Sequence, residues 1–188
     1  TSIGNSAFSF CGSLTSITIP DSVTSIGYDA FYCCSSLTNI TIPDSVTSID
    51  TYAFYYCISL TSIGPVGSGA SLEIPASVTT IGEDAFETTA LYNNESNWEE
   101  GVLYIGEYLI KANKSLIGKT YSIKNGTKLI ADEAFGSYEG YLIGLYDIFI
   151  PNSVKYIGNG AFRYNNFTTL TIPNSVKSIG EQAFGWFY

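Results

Sequence analysis

The sequence contains no histidine and no methionine. Without an imidazole there is no ordinary base for a serine or cysteine nucleophile, and no nitrogen ligand to complete a zinc site from the four cysteines. Charge is scarce as well, with only 13% of 188 residues charged. The first cation is Lys111, so residues 1–110 hold no Lys or Arg against twelve acids. Residues 111–188 hold all eight cations and five acids, so the halves carry −12 and +3 and sum to −9. A chain without cations over more than half its length cannot neutralise a run of phosphates, which argues against a nucleic-acid partner. The asymmetry favours head-to-tail self-association instead. No apolar run reaches the ~20 residues that span a bilayer, so no direct membrane insertion is expected.

What the chain has in abundance is repetition. Ala-Phe occurs at Ala7-Phe8, Ala30-Phe31, Ala53-Phe54, Ala85-Phe86, Ala134-Phe135, Ala161-Phe162 and Ala183-Phe184. Ile-Pro occurs at 19–20, 42–43, 74–75, 150–151 and 172–173, and each Pro precedes the next of these Phe residues by 11. The unit is about 23 residues long and reads L-T-x-I-T-I-P-x-S-V-T-x-I-G-x-x-A-F-x-x-C-x-S, first from Leu14 and again from Leu37. Length changes fall between Ile63 and Leu72, between Phe135 and Leu145, and between Phe162 and Phe167, as connections of a stacked array allow. Residues 1–86 and 120–188 are regular, whereas 87–119 form irregular coils in which Gly101 to Ile110 suggests a hairpin. The whole, 1–188, reads as one solenoid. Thr1-Ser2-Ile3-Gly4 matches Thr24-Ser25-Ile26-Gly27 and little follows Phe184, so a longer array is expected.

Within a unit, Ile17 and Ile19 alternate as one face of a strand does, and Pro20 ends the strand. Val23 and Ile26 point back inward. Gly27 suits a turn needing unusual dihedrals, and Asp29-Ala30-Phe31 fits a short helical or 3₁₀ turn. One unit alone cannot bury Leu14, Ile17, Ile19, Val23, Ile26, Ala30 and Phe31. Stacked neighbours can, each large side chain contributing ~1.5–3 kcal/mol before entropy.

These residues, Leu14-Thr15-Ser16-Ile17-Thr18-Ile19-Pro20 through Val23, Ile26-Gly27 and Ala30-Phe31, with their copy from Leu37 to Phe54, resemble the BspA-like leucine-rich repeats, also called the Treponema pallidum type. The fold this implies is an α/β repeat solenoid: a right-handed leucine-rich-repeat coil. A short-stranded parallel sheet would line its concave face, and turns or short helical segments its convex face. The resemblance also implies an extracellular or cell-surface protein used in adhesion or protein binding. It fixes no functional residue.

Each candidate site stands beside a plainer explanation. Cys11, Cys34 and Cys57 share one repeat position, with Cys33 extra, and fit a buried internal ladder better than a disulfide or metal site. The outward strand positions are Ser16, Thr18, Asn39, Thr41, Glu73, Asp147, Phe149, Thr169 and Thr171. They fit either ordinary solvent-facing strand residues or a shallow binding face for protein or glycan, with Phe149 its most telling member. Tyr28, Tyr32, Tyr52, Tyr55 and Tyr56 flank Ala-Phe and fit either packing between coils or an adhesive surface. Asp21 and Asp44, replaced by Asn152 and Asn174, read as turn openers rather than calcium ligands. Glu83-Asp84 and Asp132-Glu133 fit the N-terminus of a short helix. Asn39, Asn94, Asn113, Asn125 and Asn166 stand in Asn-x-Ser/Thr triplets.

The expected function is a non-catalytic binding or adhesion module for an extracellular protein or glycan, with no cofactor. A rigid spacer within a larger surface protein is the alternative. A carbohydrate-active enzyme is more remote, because no carboxylate constellation stands out.

Overall fold

The structure is a computed structural model and describes residues 1–64, 72–136, 144–165 and 167–185. Most of the insertion between Ile63 and Leu72, most of that between Phe135 and Leu145, and Asn166 lie outside the described residues. The chain divides into two compact units, Thr1–Asn97 and Trp98–Tyr188.

Unit 1 contains β1 (Ser2–Ile3), β2 (Ser25–Ile26), β3 (Asn39–Ile40), β4 (Ser48–Ile49), β5 (Ser62–Ile63) and β6 (Thr80–Ile81), then α1 (Ala90–Asn93). The parallel ladder β1-β2-β4-β6 pairs Ser2, Ser25, Ser48 and Thr80 in register. A shorter ladder joins β3 to β5, with an isolated bridge from Thr18 to Thr41. The more continuous ladder therefore runs through Val-Thr-x-Ile-Gly, the segment expected to be only a return. The reason is proline. Pro20, Pro43 and Pro75 have no N–H and end the Leu-Thr-x-Ile-Thr-Ile ladder after one or two pairs. Each proline instead opens a turn, its carbonyl accepting from Val23, Val46 and Val78, as the Asp21 and Asp44 positions led one to expect.

The Ser and Thr content has a structural use. Thr24, Thr47 and Thr79 hydroxyls donate to the carbonyls of Thr1, Thr24 and Thr47 at 3.1–3.2 Å. Ser45 and Ser77 donate to Val23 and Val46 at 2.6 and 2.7 Å. Each hydroxyl thus bonds the preceding coil as well as facing solvent.

The Ala-Phe corner is not helical. Only 6% of the chain is helical, so a helical convex face, and with it the α/β description, is corrected to stacked turns. Asp29 and Cys33, Tyr52 and Tyr56, and Asp84 and Thr88 lie two residues before and after Phe31, Phe54 and Phe86, all at φ between 49 and 59°. A left-handed residue on either side of Phe breaks any helix. It also turns alternate N–H groups toward the next coil. Asp29, Phe31 and Cys33 donate to Thr51, Ala53 and Tyr55, while Ala30, Tyr32 and Cys34 close turns within their own coil. The acidic pairs Glu83-Asp84 and Asp132-Glu133 accordingly sit in turns rather than at helix N-termini. Gly27 is also reinterpreted. Its φ is ordinary, but a Cβ there would lie 2.6 Å from Asn5 Oδ1 and 3.0 Å from Asn5 N. Close approach of coils requires this glycine, and the unusual dihedral falls at Asp29.

Phe8, Phe31, Phe54 and Phe86 form the core column, with centroids 5.2–5.4 Å apart and planes within 9°. Phe31, Phe54 and Phe86 are fully buried with Ile26, Ile49 and Ile81.

Unit 2 begins as an antiparallel meander, β7 (Trp98–Glu99), β8 (Val102–Ile105) and β9 (Tyr108–Ala112), bearing out the hairpin. Val102, Leu103, Ile105, Tyr108 and Leu109 are buried. Next come β10 (Thr120–Ser122), β11 (Leu129–Ile130), β12 (Asp147–Phe149), β13 (Tyr156–Ile157) and β14 (Ser178–Ile179). β9 turns the meander into a parallel stack by pairing with β11, which is followed by β13 and β14. β10 pairs separately with β12. Phe135, Phe162 and Phe184 repeat the core column at 5.1 and 5.2 Å.

Candidate functional site

In unit 1 the turns that send Phe inward send their neighbours outward. The tyrosine after Phe31 stacks on its counterpart after Phe54, and tyrosines three before Phe31 and two before Phe54 meet from adjacent repeat positions. Tyr32 lies parallel to Tyr55 at 5.7 Å, and Tyr28 meets Tyr52 edge-on at 5.9 Å. Tyr55 also contacts Tyr52 and Tyr56 at 5.2 and 5.1 Å, and Phe10 meets Tyr32 at 5.2 Å. The five tyrosines are therefore both packed between coils and presented to solvent. Phe10, Tyr28 and Tyr56 are 73%, 41% and 46% exposed. Phe10 escaped the sequence reading, although it occupies the same repeat position as Tyr56.

Acids border these rings. Burial raises the Tyr55 phenol above its ordinary range, followed by the charge of Glu87, the neighbouring Tyr56, Asp84 and Tyr32. The Tyr32 phenol is raised as well, by desolvation, then by Cys33 and Asp29. Desolvation also raises the Asp29 carboxyl. Unit 1 has nine acids and no Lys or Arg to offset them.

The strand-face candidates divide between the two units. In unit 1, Ser16 and Thr18 are exposed, and Thr18 bridges to Thr41. Asn39 is half-buried, its amide donating to Ser62 Oγ at 2.8 Å and Gly64 O at 3.2 Å, and Thr41 donates to Gly64 O at 2.9 Å. Glu73 is exposed and shares an open concavity of about 490 Å³ with Thr41, Asp21 and Asp44. In unit 2, Asp147 accepts from the N–H of Ile148, and Phe149, 59% exposed, pairs with Ser122. Thr169 and Thr171 are exposed and lie outside any strand. Asn39 and Thr41 thus serve the coil stack, while Phe149 projects.

Cys34 and Cys57 are buried, each donating to a carbonyl of the preceding coil, Phe8 and Phe31, at 3.1 Å. Contact with Cys34 and burial push the Cys57 thiol up. Cys11 is exposed and Cys33 half-buried. No group of three His, Cys, Asp or Glu among the described residues could hold a metal ion. Among the described residues no helix is long and apolar enough to cross a membrane.

Unit 2 fills its corners differently. Arg163 Nη2 is 2.8 Å from Glu133 Oε1, and its guanidinium lies 5.1 Å from the centre of the Tyr164 ring. Glu133 is buried at φ 53°, and a Cβ on Gly136 or Gly160 would strike its carboxylate. The sequence held a signal for this cluster. The chain's single arginine follows Phe162 in the slot that Tyr32 and Tyr55 occupy. Also in unit 2, the buried Tyr104 and Tyr121 hydroxyls share a hydrogen bond of 3.0 Å, and Lys124 lies 5.5 Å over the Tyr104 ring. Burial pushes the Tyr108 phenol up to about 12.

Short parallel strands, turn-built corners and a column of phenylalanines define a leucine-rich-repeat protein. More narrowly, the chain belongs to the BspA-type leucine-rich-repeat family, whose model matches residues 1–68 and 67–187 in 6 copies. Among solved structures it is similar to a Treponema pallidum leucine-rich-repeat protein, at 24% identity over 94% of this chain and 64% of that one, with a TM-score of 0.44. It is also similar to a leucine-rich cell surface protein of Faecalibacterium prausnitzii, at 27% identity over 96% and 60%, TM-score 0.42. A Bacteroides ovatus leucine-rich-repeat protein gives 25% identity over 98% and 44%, TM-score 0.46. The chain spans less than two thirds of each of these proteins. Comparison with curated proteins gives no match.

Proposed function

We propose that the chain is a non-catalytic binding module of a cell-surface or secreted protein, and that it engages a protein or glycan through exposed rings. The observation that carries this reading is the contiguous aromatic surface of Phe10, Tyr28, Tyr32, Tyr52, Tyr55 and Tyr56. Tyrosine supplies rigid contact area at small entropic cost. Phe10, Tyr52 and Tyr56 hold their rings at φ 56–60°, a conformation that is strained for bulky side chains. Asn would suit those positions better on stability grounds, so the rings point to a use other than stability.

The test is a glycan array together with a panel of purified extracellular matrix proteins, probed with the wild type, a Phe10→Asn/Tyr56→Asn variant and Phe149→Ala. The reading expects retention of at least one ligand by the wild type and its loss in the double variant. Retention of nothing would favour a rigid spacer. Loss only in Phe149→Ala would move the site to the strand face.

A further inference from the structure

Unit 2 and unit 1 use the same three repeat positions for opposite ends. In unit 2 the residue two before Phe135 is Glu133, and the residues one and two after Phe162 in the next coil are Arg163 and Tyr164. The guanidinium sits against the carboxylate at 2.8 Å and over the ring at 5.1 Å. In unit 1 the corresponding residues are Asp29, before Phe31, and Tyr55 and Tyr56, after Phe54. The backbone is alike: Asp29 and Glu133 have φ 54 and 53°, and Tyr56 and Tyr164 have 59 and 64°. Carboxylate and ring are both present in unit 1, but no cation is, because residues 1–97 contain no Lys or Arg.

The groups left behind suit a cation. Asp29 Oδ1 is buried with no hydrogen-bond partner among the described residues. Tyr56 is exposed, Tyr32 and Phe10 continue the apolar floor, and Asp84 and Glu87 add negative potential around Tyr55. A planar guanidinium can lie on a ring and fork to a carboxylate together, which an ammonium does less well. An anionic partner would be repelled by this unit, which holds nine acids and no Lys or Arg.

We propose that this face of unit 1 docks an arginine-bearing segment of a partner protein, whose guanidinium takes beside Asp29 and the Tyr56 ring the place that Arg163 fills beside Glu133 and Tyr164. The assignment rests on the binding-module reading and narrows its partner to a basic polypeptide. It also gives the strained rings a use, because they offer a partner's guanidinium the flat face that Tyr164 offers Arg163.

The experiment is calorimetric titration of the full chain with a short peptide of alternating arginine and serine, and with its lysine and glutamate counterparts, at low and high salt. The arginine peptide should bind best, the lysine peptide less well and the glutamate peptide not at all, with affinity falling as salt rises. Tyr55→Arg installs unit 2's arrangement and should weaken binding by about tenfold or more. Tyr56→Asn, which suits the left-handed backbone, should weaken it by about fivefold. Circular dichroism of both variants separates lost binding from lost fold. Equal binding of all three peptides, no binding of the arginine peptide, or unchanged affinity in both folded variants would overturn the proposal. If the arginine peptide is ignored while the array retains a glycan, the binding-module reading stands and the basic partner falls. Self-association abolished by Tyr55→Arg, without peptide binding, would replace the partner with a second copy of the chain.

Discussion

Units 1 and 2 build the same corner from different residues. Unit 1 stacks tyrosine on tyrosine with acids around them and has no Lys or Arg of its own. Unit 2 sets a guanidinium between a buried carboxylate and a ring, and lays Lys124 over Tyr104. The net charge follows the same division: nine acids and no cations in unit 1, eight of each in unit 2. The comparison teaches that the repeat fixes where side chains project but leaves open whether they satisfy one another. Unit 2's corner pairs a carboxylate with a guanidinium of its own, and unit 1 has no Lys or Arg with which to do so.

The first way to break the comparison is through what the units share. Phe54→Ala and Phe135→Ala each empty one place in a fully buried column and should each cost about 3–5 kcal/mol. Hydrogen exchange should show the loss concentrated in the coils adjoining the changed one, since solenoid stability is a nearest-neighbour sum. Equal deprotection of both units by either variant would mean that the units do not act separately. Next in size is the ion pair. Arg163→Leu leaves Glu133 buried without its partner and should destabilise by about 2–3 kcal/mol in urea titrations, with Glu133→Gln in the same chain recovering part of it. No change for the single variant would make unit 2's corner as open as unit 1's. Tyr55→Arg acts in the other direction. It should stabilise unit 1 by about 0.5–1 kcal/mol, because the new cation meets Asp29 and Tyr56.

The smallest effect concerns pH. Burial raises the Asp29 carboxyl in the folded state, so folding favours its protonated form. The associated stability is present below the unfolded pKa and is lost as pH rises through the folded one. Asp29→Asn, which keeps a residue tolerant of φ 54°, should therefore raise Tm by about 1–3 °C at pH 7. That gain should fade as pH falls from the raised folded pKa to the ordinary carboxylate value of about 4, below which Asp29 is neutral in both states. A gain that persists at acid pH would assign the effect to something other than the carboxylate.

Much of the fold was legible because the repeat carries its own register. The match of Thr1-Ser2-Ile3-Gly4 to Thr24-Ser25-Ile26-Gly27 is the pairing of β1 with β2, and Gly101 to Ile110 folds as a hairpin. Two things were not legible. Periodicity located the apolar positions but could not show which segment carries the longer ladder, since that depends on where proline removes a donor. A helical corner and a corner of linked turns also bury the same Ala-Phe pair. They differ only in the sign of φ at residues such as Asp29, Tyr52 and Tyr56, which are not glycine and give no warning. The candidate site was half legible. The flanking tyrosines stood out, but their stacking, the exposure of Phe10 and the kinship of Asp29 with Glu133 need coordinates. Ser and Thr misled in part, because hydroxyls that fit a solvent face also donate to the preceding coil.

The most direct measurement is an NMR titration of the wild-type chain with the arginine–serine peptide, following backbone and aromatic signals. The account predicts that shifts concentrate at Asp29, Tyr32, Tyr55, Tyr56, Asp84 and Glu87, while Tyr164 and the Thr18–Thr41 strand face stay still. Shifts centred on Thr41, Asn39 and Glu73, or of equal size at Tyr164, would contradict it.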